Sequence, residues 1–302
     1  MAKLGLALGG GGARGLAHIG ILKVLEKENI KINAITGCSM GAIVGALYSY
    51  FESAEKLESF FINFINNIDF EELGLNELKE KSKGKTGTLT HIGRYLKIRY
   101  NLFKSLNRLS FFTEETTNDI FSHLPNIPIE KLKIKFSAIA TDLITGEEIN
   151  LTEGPLQTIV KASSAIPAIF PPVKINNMLL VDGGASESVP VKIVKNIGAD
   201  RVLAIDVTRC IQLTNAPKNL FDILFRTEDI STFHLSKLRL EDADLILRPN
   251  VRKLDWSEFD KVKEIIKAGE EAAESMLPDI KKLVDKNYYL LAMEHYLKKL
   301  KQ

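Results

Sequence analysis

The chain has 302 residues, 45% hydrophobic and 26% charged, which is enough apolar material for a large core and too balanced for a disordered protein. A net charge of +2 is too small to imply a nucleic-acid partner. Two cysteines, Cys38 and Cys210, allow at most one disulfide and offer no metal-ligand spacing, so the expected setting is a reduced, cytoplasmic one.

The first apolar run, Leu4 to Leu8, is too short for a secretory core, and no stretch nears the roughly 18 apolar residues of a membrane span. That run reads as a buried strand, and Leu16 to Glu28 as a helix with Leu16, Ile19, Leu22 and Leu25 on one face. A strand at Ile32 to Thr36 and a helix at Met40 to Tyr50 follow, with Gly41, Ala42, Gly45 and Ala46 allowing close packing on a sheet. From about Ser53 to Leu124 the pattern is helical, as in Ala54 to Asn67 and Arg94 to Leu109, and reads as an insertion. Strands resume at Lys133 to Asp142, Glu147 to Leu151, Val173 to Asn176, Met178 to Asp182, Arg201 to Val207 and Asp244 to Leu247. Helices are expected at Leu156 to Ser164, Val191 to Ile197 and Leu220 to Leu240, and from Trp256 to the end with a break at Pro278. The β-α-β-α opening predicts a three-layer α/β/α fold with a mostly parallel central sheet. The catalytic domain is expected over residues 1–250, with the insertion at 53–124 and a helical tail at 251–302.

Two glycine-containing turns carry the chemistry. Gly37-Cys38-Ser39-Met40-Gly41 is a G-x-S-x-G pentapeptide between a strand and a helix, the setting of a nucleophile elbow, in which flanking glycines relieve the crowding around a strained serine. Gly9-Gly10-Gly11-Gly12-Ala13-Arg14-Gly15 follows the first strand and opens the first helix. Successive glycines let N–H groups converge on an anion, either a phosphate or a developing oxyanion. Gly10, Gly12 and Gly15 also satisfy the dinucleotide fingerprint, but the acidic residue that should end the second strand is missing.

A proton acceptor for Ser39 is sought among His18, His91, His123, His234 and His295, none of which stands at a strand end; with His295 in the tail, His234 is the best imidazole candidate, by sequence order only, for a Ser-Asp-His triad. Asp142, Asp182 and Asp206 do stand at strand C-termini, where parallel sheets bind ligands. Asp142 and Asp206 read as loop-capping carboxylates, whereas Asp182 is followed by Gly183 and Gly184, which open its surroundings.

Gly10-Gly11-Gly12-Ala13-Arg14-Gly15, Gly37-Cys38-Ser39-Met40-Gly41 and Asp182-Gly183-Gly184, in this order, closely resemble the three signatures of the patatin-like phospholipase family. Ala140-Thr141-Asp142-Leu143 and Ala162-Ser163-Ser164-Ala165-Ile166-Pro167 also resemble its bacterial members, and the likeness covers about residues 4–210. It implies a dyad of Ser39 as nucleophile and Asp182 as direct base, no histidine, and an oxyanion hole of backbone N–H groups among Gly10, Gly11, Gly12 and Arg14. Many members carry Asn before a proline shortly after the D-G-G, where this chain has Ala185-Ser186-Glu187-Ser188-Val189 before Pro190.

The expected activity is metal-independent and cofactor-free hydrolysis of phospholipid or lysophospholipid acyl esters through an acyl-serine. The rival readings are a carboxylesterase or thioesterase on soluble acyl compounds and a non-catalytic nucleotide or acyl-ligand binder. Arg14 reads either as a cation near a phosphate headgroup or as a solvated residue at a helix start. Lys81 to Thr113 has no acidic side chain, and Arg94, Lys97, Arg99, Lys104 and Arg108, interleaved with aromatic and aliphatic residues, read either as a contact with an anionic membrane or as a solvated lid.

Overall fold

The computed structural model describes residues 2–67, 110–211, 216–217 and 220–285. The expected helix at 94–109, with Arg94, Lys97, Arg99, Lys104 and Arg108, and the end of the tail lie outside the described residues.

In chain order the strands are β1 (Leu4–Leu8), β2 (Ile32–Cys38), β3 (Lys135–Asp142), β4 (Glu148–Leu151), β5 (Val173–Ile175), β6 (Met178–Asp182), β7 (Arg201–Ile205) and β8 (Leu245–Leu247). The helices are α1 (Ala17–Lys27), α2 (Met40–Phe51), α3 (Ala54–Asn67), α4 (Glu114–Ser122), α5 (Leu156–Ser163), α6 (Val191–Asn196), α7 (Leu220–Arg239), α8 (Val262–Ser275) and α9 (Leu277–Val284). A 3-10 turn, Gly12–Leu16, leads into α1.

The strands form one sheet in the order β5-β6-β3-β2-β1-β7-β8, with β4 paired to β3. The pairs β1–β2, β1–β7, β2–β3 and β7–β8 are parallel, and those of β3–β4, β3–β6 and β5–β6 are antiparallel. The sheet is therefore mixed, with its parallel part carrying the two glycine-rich turns. Every residue of β1 is buried, as a strand covered on both faces must be. Leu4, Leu6 and Leu8 enter the larger core with α1, α2, α3 and α8, while Ala7 enters a smaller one with Val191 and Val194 of α6.

Small residues set how closely the helices approach. A Cβ on Gly45 would stand 2.8 Å from Ile35 Cγ2, and one on Gly41 would collide with the Leu8 carbonyl, so α2 lies directly on β1 and β2. Gly20 of α1 and Gly269 of α8 likewise meet the backbone of the opposite helix. Residues 251–285 thus share the main core, through Val251, Ile265, Ile266, Ala273, Ile280 and Leu283.

The expected boundaries shift in three places. Strand β2 runs two residues further, to Cys38, because Gly37 and Cys38 pair with Ala138 and Ile139 of β3. Trp256 to Lys261 is turn and 3-10 structure, and helix begins only at Val262. Pro278 does not break a long helix. It occupies the first turn of α9, where a missing N–H costs nothing.

Candidate active site

Ser39 caps the N-terminus of α2 with φ 53° and ψ −124°, a conformation that a non-glycine residue keeps only when its surroundings enforce it. They do so here through contacts on both sides. A Cβ on Gly37 would lie 2.5 Å from the Ala42 nitrogen, so the first glycine of the pentapeptide permits the sharp reversal into α2. The Ser39 N–H donates to the carbonyl and to the hydroxyl of Ser163, at 3.1 and 3.2 Å, at the C-terminal end of α5. Ser39 is buried, as are Cys38 and Asp182.

Asp182 ends β6. Cys38 pairs with Ile139 of β3, and Asp182 pairs with the next residue, Ala140, so the end of β6 meets the end of β2 just where the elbow begins. The Cys38 thiol donates to Asp182 Oδ1 at 3.7 Å. The same oxygen accepts from the Gly184 N–H at 2.8 Å, and the Asp182 N–H donates to the Ala165 carbonyl at 2.9 Å. Burial and the neighbouring Asp182 charge push the Cys38 thiol well above its ordinary range, so it stays protonated.

The glycine run lies against the elbow: a Cβ on Gly10 would stand 3.2 Å from Ser39 Cβ. Its N–H groups are divided between holding the loop and facing outward. Gly9 donates to the Ile205 carbonyl at 3.0 Å, Gly10 to Ser188 at 2.9 Å and Ala13 to Trp256 at 2.7 Å. Among the described residues, the N–H groups of Gly11 and Gly12 meet no backbone acceptor. Gly10, counted above as an oxyanion donor, therefore spends its N–H on tying this loop to the one after Asp182. Gly12 has φ 57°, and Gly15 lets the start of α1 pass the Met40 side chain, with a would-be Cβ 2.5 Å from Met40 Cγ.

The Arg14 side chain does not point to a headgroup. It is buried, donating from Nε to the Val207 carbonyl and from Nη1 to the Leu254 carbonyl, both at 3.0 Å. His18, the second residue of α1, is fully buried, its Nε2 2.9 Å from the Gly9 carbonyl, which requires the proton on Nε2. Burial lowers its pKa to about 4, so it is neutral and structural. His123 lies edge-on against Phe64, His234 lies against Phe233 in α7, and His91 and His295 fall outside the described residues. Asp142 and Asp206 cap loops as expected. Asp142 accepts from the Leu179 and Ile144 N–H groups at 2.9 and 3.2 Å, and Asp206 accepts from Thr208 N–H and from Arg248 at 3.0 and 2.9 Å.

Three participants had no reading as single residues in the sequence. Ser163 braces the elbow, Glu187 lies buried in the loop after Asp182, and Trp256 supplies the carbonyl that holds the glycine run. The first two fall inside stretches already singled out by resemblance, whereas nothing local to Trp256 signals its partner more than 240 residues earlier.

The chain matches the patatin-like phospholipase family over residues 6–195. An uncharacterized NTE family protein of Mycobacterium tuberculosis is 29% identical over 205 residues, covering 68% of this chain and 49% of that protein. Lysophospholipase NTE1 of Cryptococcus neoformans var. neoformans is 32% identical over 208 residues, covering 68% of this chain and 11% of its own length. This chain thus spans about half the length of the mycobacterial relatives and a small part of the fungal ones. Among solved structures, VipD from Legionella pneumophila aligns at a TM-score of 0.48 and 14% identity, covering 92% of this chain and 67% of that one.

Proposed function

The chain belongs to the patatin-like phospholipase family, and on that premise we propose that it is a serine ester hydrolase that cleaves fatty acyl esters of phospholipids or lysophospholipids through an acyl-Ser39 intermediate. The observation that carries this reading is the meeting of two strand ends. Cys38 and Asp182 pair with adjacent residues of β3 and their side chains touch, so a carboxylate stands beside the strained serine that follows Cys38.

The steps follow from those groups. Asp182 takes the Ser39 hydroxyl proton as the oxygen attacks the ester carbonyl, and the tetrahedral oxyanion is met by N–H groups of Gly11, Gly12 and Arg14. Each such donor is worth about 3 kcal/mol of transition-state stabilisation. Collapse expels the alcohol, which takes the proton back from Asp182. Water then enters and gives a proton to Asp182 as its oxygen attacks the acyl-enzyme, and collapse frees the fatty acid and the Ser39 oxygen, which takes that proton back from Asp182. An ester suits a carboxylate base better than an amide, since an alkoxide leaves with less protonation. Every step is assigned to a protein group, so turnover is expected to persist in chelator.

Lipid is the favoured substrate class because the family is named for phospholipases and because several relatives are lysophospholipases by name. The test is mass-spectrometric mapping of a fluorophosphonate adduct, followed by a phospholipid and lysophospholipid panel in chelator. The reading expects the adduct on Ser39, lipid turnover, and loss of both in Ser39→Ala. A label on Ser39 with turnover of soluble esters alone would move the substrate to soluble acyl compounds, and full activity in Ser39→Ala would overturn the reading.

A further inference from the structure

The loop between Asp182 and Pro190 contains a buried acid for which the proposed reaction has no step. Glu187 is 1% exposed, five residues after the proposed base. Its backbone is fixed on both sides: the Glu187 N–H donates to the Gly183 carbonyl at 2.7 Å, and the next carbonyl, of Ser188, receives the Gly10 N–H at 2.9 Å. Glu187 therefore sits on a stretch of chain that is bonded both to the D-G-G turn and to the glycine run.

Its side chain belongs to a cluster drawn from three elements. Arg239, at the end of α7, brings Nη1 to 3.4 Å from Glu187 Oε2 and Nη2 to 3.7 Å from Glu148 Oε2 on β4. Lys192 on α6 adds a more distant positive charge and is itself paired with Asp242 at 3.2 Å. Two carboxyls thus face one guanidinium, with Glu187 buried and Glu148 and Arg239 partly exposed, and a negative charge on Glu187 would be repelled by Glu148 and poorly solvated. The cluster reaches the site electrostatically, for the Cys38 thiol feels the charges of Asp182, Glu187 and Glu148 together. Arg239 lies beyond residues 6–195, so this one member of the cluster is outside the part of the chain that matches the family, while Glu148 and Glu187 are within it.

We propose that the Glu148–Glu187–Arg239 cluster sets the position and basicity of Asp182, Glu187 being a positioning residue whose charge the base feels. The inference rests on the reading of Asp182 as the base. At neutral pH Glu187 keeps its proton beside Arg239. Burial and the neighbouring Glu148 charge push Glu187 up to about 8. Above that pH Glu187 adds a negative charge to the surroundings that Cys38 and Asp182 share. It raises the proton affinity of the base, which gains a proton in the transition state, and so speeds acylation. The Cys38 thiol does not supply this step, because its own titration is displaced far higher.

The test is the pH profile of kcat/KM on a soluble short-chain ester, which removes any lipid interface from the measurement. The wild-type chain should show a several-fold rise centred near pH 8. Glu187→Gln should be flat through that range, Arg239→Met should move the step to higher pH, and Arg239→Lys should restore it towards its original position. A Glu187→Gln profile that keeps the wild-type step overturns the inference while leaving the dyad intact. Should Glu187→Gln fail to fold, an unshifted step in Arg239→Met overturns it equally. If Ser39→Ala retains hydrolysis, the dyad falls and this inference falls with it.

Discussion

The backbone amide of Ser39 is held twice by one residue, donating to both the carbonyl and the hydroxyl of Ser163, whose hydroxyl in turn donates to the Ile139 carbonyl at 2.6 Å. Two residues on, the Ala165 carbonyl receives the Asp182 N–H at 2.9 Å. The end of α5 is thus a single brace for both members of the proposed dyad, and it fixes the elbow to the third strand.

Ser163→Ala should break the bridge from Ile139 to Ser39 while keeping the carbonyl contact. A neutral hydrogen bond contributes about 1 kcal/mol to stability, so the thermal midpoint should fall only slightly. The rate should suffer more, because the hydroxyl orients the nucleophile: kcat/KM is expected to drop about tenfold, equivalent to 1.4 kcal/mol of barrier. An unchanged kcat/KM with a lowered midpoint would show the serine to be structural only.

Gly12→Ala tests the glycine run. The φ of 57° strains any L side chain, at a cost of about 1–2 kcal/mol, and the new methyl would stand 2.5 Å from the Trp256 carbonyl oxygen. The loop must move to accept it, carrying its N–H groups away from Ser39. Fluorophosphonate labelling should slow at least tenfold in a chain that still unfolds cooperatively. Because Trp256 is the one tryptophan of the chain, its fluorescence reports the displacement directly. Unchanged emission together with normal labelling would show that the loop tolerates the methyl.

The turns that carry Ser39 and Asp182 were legible in the sequence because each is local chemistry. A serine flanked by glycines between a strand and a helix, and an aspartate before two glycines, each declare a turn within a few residues. The sheet was legible for the same reason, since β1 is a continuous apolar run. What escaped is what distant chain supplies. The true role of Arg14 depends on the Val207 and Leu254 carbonyls, so its charge suggested a phosphate when its partners are backbone. The Trp256 carbonyl, ahead of the start of α8 at Val262, receives the Ala13 N–H, a tie that no local pattern encodes. Gly10 looked equivalent to its neighbours until the Ser188 carbonyl distinguished it.

Arg14→Lys and Arg14→Met follow from that geometry. The guanidinium reaches two carbonyls in diverging directions, which an ammonium on a flexible stem cannot reproduce with the same order. Hydrogen bonds to a charged group contribute about 1.5–3 kcal/mol, so both variants should lose stability on that scale, with Met the worse. Both should also lower kcat more than they raise KM, because the loop bearing the N–H groups is loosened while substrate contacts remain. A rise in KM alone would restore Arg14 to a headgroup contact.

The pH dependence of stability should carry two opposed limbs from two buried groups. His18 titrates at about 4 in the fold against an ordinary 6.5, so between those values the unfolded chain binds the extra proton and stability rises with pH, by up to about 3 kcal/mol. Glu187 is raised from 4.5 to about 8, so between those values the folded chain holds the extra proton and stability falls as pH rises. From 4.5 to 6.5 the two slopes oppose one another. Above 6.5 only the Glu187 limb remains of the two, and it ends near pH 8. Urea midpoints measured across this range should therefore decline from about pH 6.5 to 8 in the wild-type chain and stay level in Glu187→Gln, whose amide does not ionise. His18→Gln, which can still donate to the Gly9 carbonyl, should lose the His18 limb, so that its midpoint declines already from about pH 4.5, and leave the alkaline decline intact. If Glu187→Gln declined as steeply as the wild-type chain above pH 6.5, the titrating group would lie elsewhere.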